Sequence, residues 1–173
     1  MPHEVLICLT AGNTWFCHLL RQLFNTAFDR CLVMYQCPFW GGWWVVQPSS
    51  EGVKKIPAEV FLKRQTAIEC WGYQNNLDSG LSTLRMYRGV KSNWWEIFKN
   101  FLLMKIYLSS DAEGNKARVF FSRFLGFELG AEVLKYSNVM GTAGWDTSFT
   151  LPNGFHQFLS EHPHFYVTRN PVV

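Results

Sequence analysis

The chain has 173 residues, of which 48% are hydrophobic and 17% charged. That is enough apolar material for a packed core and excludes wholesale disorder; the length makes one domain the default. A net charge of +3, with no run of Lys or Arg longer than two, excludes any argument for nucleic acid from charge alone.

In chain order, VLICLT (5–10) reads as a strand, and TWFCHLLRQLFNTAF follows as a helix. Trp15, Leu19, Leu20, Leu23 and Phe24 recur at helical spacing, with Thr14 or Asn13 available as cap. CLVMY (31–35) and WWVVQ (43–47) are β-rich and joined by CPFWGG, whose Pro38 and Gly41-Gly42 read as a turn. PSSEGVKKIP (48–57) has loop composition, and VFLKR is a strand or a short helical turn. AIECWGY (67–73) and LSTLRMY (81–87) read as a second hairpin around the turn chemistry of NNLDSG.

RGVKSNWWEIFKNFLL (88–103) carries the clearest helical stripe, through Val90, Trp94, Ile97, Phe98, Phe101 and Leu102. MKIYLSS (104–110) is a strand. Residues 112–125 form a helix with Ala117, Phe120, Phe121 and Phe124 on one stripe and Gly126 as its stop. FELGAEVLKYS (127–137) and WDTSFTL (145–151) alternate like strands, and the tail from 152 to 173 reads as an irregular extension. The sum is a mixed α/β chain with a mostly antiparallel sheet and a central βαβ unit.

Cysteines stand at 8, 17, 31, 37 and 70, in spacings that match no zinc pattern. They read as reduced, buried thiols of a cytoplasmic protein. The opening MPHEVLICLT has no basic segment of a secretory leader, and no apolar run approaches a membrane span. The aromatic load, including Trp40, Trp43, Trp44, Trp94 and Trp95, suits a dense core or contact with a protein partner.

From LSTLRMY through the helix to Leu103, KIYLSS and NKARVFFSRFLGF, the chain resembles the second half of a GNAT-type N-acetyltransferase. The resemblance covers about residues 67–151 and is that of a divergent member. It implies a GNAT-like fold with helices on both faces of the sheet, acetyl-CoA as cofactor and an amine as acceptor. In physical terms, a strand feeding a helix through a tight turn leaves outward N–H groups suited to a pyrophosphate. By resemblance the Met86–Tyr87 strand end, Arg88, Gly89, Val90, Lys91, Ser92 and Asn93 hold the cofactor, with Asn115 contacting its arm. The Tyr87 end of the strand serves the thioester carbonyl. Lys91 and Asn93 replace small residues of the family turn. Ser122 stands where the family has its tyrosine acid, and a serine is a poor general acid. Tyr107 and Tyr136 are the nearest tyrosines in sequence, and Glu69, Glu96, Asp146 and His156 are general-base candidates by type.

Two other readings stay open. One is a catalytically silent GNAT-like domain acting as a structural or interaction component, for example in a phage virion, alone or as a homo-oligomer. The other rests on WWVVQPSSEGVKKIPAEVFLKR, which resembles permuted papain-like hydrolases of the NlpC type. There a His on an early strand meets a Cys on a later helix. Here Arg30 and Cys31 fall where that His would lie, and no Cys follows Cys70.

Overall fold

The structure, a computed structural model, describes residues 4–37, 39, 41–49, 52–84, 126–145, 152–169 and 172. Within them the chain is mixed α+β. Six strands, β1 (Val5–Gly12), β2 (Arg30–Gln36), β3 (Trp43–Ser49), β4 (Gly52–Pro57), β5 (Gln65–Tyr73) and β6 (Phe165–Thr168), form one sheet in the order β4-β3-β2-β1-β5-β6. Every pairing is antiparallel. The five described helices are α1 (Trp15–Phe24), α2 (Ala58–Leu62), α3 (Asp78–Thr83), α4 (Phe127–Tyr136) and α5 (Pro152–Glu161).

β1 and β2 are central and covered on both faces, which explains why they read as continuous apolar runs rather than alternating ones. Register sorts their side chains. Val5, Ile7 and Leu9 lie opposite Tyr35, Val33 and Cys31 and face α4 and α5 through Phe127, Val133, Leu134, Phe155 and Leu159. Leu6, Cys8, Leu32 and Met34 face the other way, toward Ala58, Phe61 and Leu62 of α2. The larger layer lies on the α4 face.

Thr14 caps α1, its Oγ1 accepting the Cys17 N–H at 3.3 Å, and Asn25 closes the helix in a left-handed conformation. The hairpin joining β2 to β3 forms as the sequence suggests.

Four readings are corrected. Residues 48–57 are not a loop: the chain turns back after Ser49, and β4 pairs with β3 from Ser49↔Gly52 to Trp44↔Pro57. β4 is an edge strand, where Lys54, Lys55 and Pro57 discourage further pairing, so its composition mimics a loop. Residues 81–83 belong to α3 rather than to a hairpin strand, and the neighbours of β5 are β1 and β6. Leu77, Gly80 and Leu84 are buried at spacings of three and four, a helical period. Residues 127–136 are helix, not strand. Eight consecutive residues, Phe127–Leu134, are buried, and the helical period shows only in Glu128, Glu132 and Lys135, spaced i, i+4 and i+7, two of them buried with the rest. The tail is not irregular: Pro152 opens α5 in the first-turn position that proline favours, and β6 adds to the sheet edge.

The helix over 88–103, the strand over 104–110, the helix over 112–125 and the central βαβ unit fall outside the described residues, as does 146–151 of the WDTSFTL strand. Gly126 does have the left-handed φ, +80°, expected of a stop glycine, and it directly precedes α4. Among the described residues no helix is long and apolar enough to cross a membrane.

Candidate functional site

Met86, Tyr87, Arg88, Gly89, Val90, Lys91, Ser92, Asn93, Asn115 and Ser122, the residues the transferase resemblance points to, all lie outside the described residues. So do Glu96, Asp146, Tyr107, Trp40, Trp94 and Trp95. Tyr136 is the last residue of α4 and is exposed. Trp43 and Trp44 are half-buried, each packed against one of the two core layers. Among the described residues the most exposed aromatics are Trp15, 76% accessible at the start of α1, and Phe39, 91% accessible in the β2–β3 turn.

Two of the general-base candidates meet. His156 on α5 places Nε2 3.0 Å from Glu69 Oε1 on β5. The same oxygen accepts the Trp71 indole N–H at 2.7 Å. Because the carboxylate can only accept, the imidazole carries its proton on Nε2. The ring lies between Phe28, with centroids 5.7 Å apart, and Trp71, at 6.1 Å. The side chains of His156 and Glu69 remain 41% and 28% accessible, so water screens the pair. Among the described residues no hydroxyl or thiol is hydrogen-bonded to His156. Within the described residues the pair thus docks α5 on β5 and reaches no nucleophile.

The head of α4 meets the start of β2. A Cβ on Gly126 would collide with the Cys31 carbonyl oxygen, and one on Gly130 would lie 2.7 Å from Cys31 Sγ. Two glycines one turn apart thus let the first turn of α4 lie directly on Cys31. Burial pushes the Cys31 thiol far above its ordinary pKa, so it stays neutral.

Arg30, one residue earlier, turns to the corner between β1 and α1. Its Nη2 donates to Cys17 Sγ at 3.2 Å, and the Thr14 hydroxyl donates to the same sulfur at 3.0 Å. Asp29, whose side chain has no accessible surface, binds the corner together. Oδ1 accepts the Gly12 N–H at 2.9 Å and Arg21 Nη1 at 2.6 Å. Oδ2 has no hydrogen bond; its partner is Arg30 Nε at 3.4 Å, an ion-pair contact. Arg21 also donates to the Gly12 carbonyl at 2.9 Å. Both guanidinium groups are thereby committed to the buried carboxylate. A buried charge is tolerated when it is paired in this way.

The β2 start and the α4 head therefore come together through Arg30, Cys31 and Gly126, and among the described residues no imidazole, accessible thiol or accessible carboxylate base joins them there. No group of three or more His, Cys, Asp or Glu able to hold a metal is present among the described residues. Sequence reading named Glu69, His156, Arg30, Cys31 and Cys17 but not Asp29, Arg21 or Gly126 as a close-contact residue. A buried Asp between two arginines eight residues before it and one after it is the one signal that could have found that corner. No family model matches the chain, and no curated protein matches it.

Proposed function

We propose that the chain is a catalytically silent domain built like the permuted papain-like hydrolases, acting as a structural or interaction component. One observation carries this reading: the helix that follows the long middle segment begins on the early strand at Cys31, with Gly126 as its N-cap. In the resemblance, that junction is where a helix-borne thiol would meet a strand-borne imidazole. Here no Cys follows Cys70, and Arg30 and Cys31 stand at the strand position. Gly126 has no side chain, a left-handed φ and no room for a Cβ. Arg30 is held by Asp29 and Cys17 and has no acceptor atom to take a proton. Among the described residues the junction offers packing and no group placed to attack a carbonyl or to take a proton from a nucleophile, which supports the silent reading.

The GNAT-like reading has less support, since 81–83 and 127–136, assigned to strands in that resemblance, are helical. Calorimetry with acetyl-CoA, run beside amide and ester hydrolysis assays, separates the readings. The silent domain gives no heat at millimolar ligand and no turnover above background. Micromolar binding of acetyl-CoA would restore the transferase, and hydrolysis lost on Cys31→Ala or Cys17→Ala would restore a thiol enzyme.

A further inference from the structure

Cys8 on β1 and Cys70 on β5 are direct cross-strand partners, and Cys8 Sγ donates to Cys70 Sγ at 3.2 Å. No other sulfur–sulfur contact occurs among the described residues. Directly opposed residues of antiparallel strands have Cα atoms about 4.5–5.5 Å apart, inside the range of about 4.4–6.8 Å that a disulfide spans. Closing to a bond of about 2.05 Å asks each sulfur to move by roughly half an ångström, within reach of a small χ adjustment. The pair sits among Leu6, Leu32, Met34 and Val45, which offer no competing polar partner.

We propose that Cys8 and Cys70 form an oxidation site that a small hydroperoxide converts to a cross-strand disulfide, stapling β1 to β5. The two thiols are only 1% and 2% accessible, so the oxidant must be water-sized. Thr168 of β6, a four-residue edge strand, lies opposite Cys70, and fraying of that short edge opens the route.

The hydrogen bond from Cys8 holds the Cys70 thiol below its ordinary pKa and the Cys8 thiol above it. Cys70 is therefore the attacking sulfur. Its thiolate displaces hydroxide from hydrogen peroxide; the hydroxide takes up a proton and leaves as water, and Cys70 becomes a sulfenic acid. Cys8 then attacks that sulfur, the sulfenic oxygen departs with the Cys8 proton as a second water, and the S–S bond forms. The balance is two thiols and one hydrogen peroxide to one disulfide and two waters. The other cysteines are placed differently: Cys17 Sγ is bound by Arg30 and Thr14, and Cys31 lies under Gly130.

The full chain, folded, is treated with hydrogen peroxide, quenched, denatured and alkylated, then weighed and digested. The expected result is protection of two of the five thiols, a mass lower by about 2 Da before alkylation, and a peptide joining Cys8 to Cys70. Dithiothreitol should restore all five. Since the staple closes a loop of some sixty residues, the oxidised chain should melt roughly 10 °C higher. Cys70→Ser should abolish the protection, while Cys31→Ser should leave it intact. Full alkylation of treated wild type, a protected pair other than Cys8 and Cys70, or sulfinic acid without a crosslink would overturn the proposal. The wild-type crosslink decides the matter even if a Ser variant fails to fold.

Discussion

Gly126 concentrates the constraints on this molecule in one residue. Its φ of +80° disfavours every other L residue, and its Cβ position is occupied by the Cys31 carbonyl oxygen. Gly126→Ala should lower stability by about 3 kcal/mol or more, since strain at positive φ and overpacking of a rigid backbone add. Urea unfolding would measure it, and a loss below about 1 kcal/mol would mean that α4 is not seated on β2 in this way. Cys31 leads to a second expectation, in pH. Burial raises its folded pKa, so the unfolded chain ionises first on going alkaline. The stability it contributes is present in full below the unfolded thiol pKa of about 8.5 and falls, by up to about 1.4 kcal/mol per pH unit, as pH rises above it. Unfolding midpoints of wild type and Cys31→Ala between pH 7.5 and 10 test this: the wild type should lose more.

Single elements are docked by very different means. α4 is held by apolar burial and two close glycines, whereas α5 adds a polar contact, the His156–Glu69 pair, to its buried Phe155 and Leu159. The polar contact is the weaker. A double-mutant cycle with Glu69→Gln and His156→Gln at pH 6 should give a coupling of about 1 kcal/mol or less, because the partners are partly exposed. Phe155→Ala should exceed it several-fold, at about 3–5 kcal/mol. A coupling comparable to the Phe155 loss would argue that the dyad is the chief anchor of α5. The corner between β1 and α1 is different again. There a fully buried Asp29 draws Arg21, Arg30 and the Gly12 N–H into one network, so the turn after β1 is set by charge pairing rather than by packing.

At the scale of the whole molecule, the sheet places an early strand, β1, in its interior and closes one edge with the late β6. β5 lies between β1 and β6 and depends on β6 for its outer hydrogen bonds. Truncation before Phe165 should expose that edge and yield concentration-dependent association in light scattering, since an unpaired strand is a template for another chain. A monomeric truncation product of unchanged stability would mean that β6 contributes little to the sheet.

Local sequence was sufficient where one physical signal dominated. β1 and β2 announced themselves by unbroken apolar, β-branched runs, α1 by its stripe and its Thr14 cap, and the first hairpin by Pro38 and paired glycines. Those signals act over a few residues and do not depend on what lies across the core. Tertiary structure alone decided the rest. β4 looks polar because it is an edge, α4 buries even Glu128 and Glu132 of its polar stripe, and α5 and β6 acquire order only from β5 and the core they cover. The meeting of Glu69 with His156, and of Cys8 with Cys70, spans 87 and 62 residues of chain. Such pairs follow from register between strands and the seating of helices, quantities set by the summed packing of both faces and carried by no single stretch of sequence.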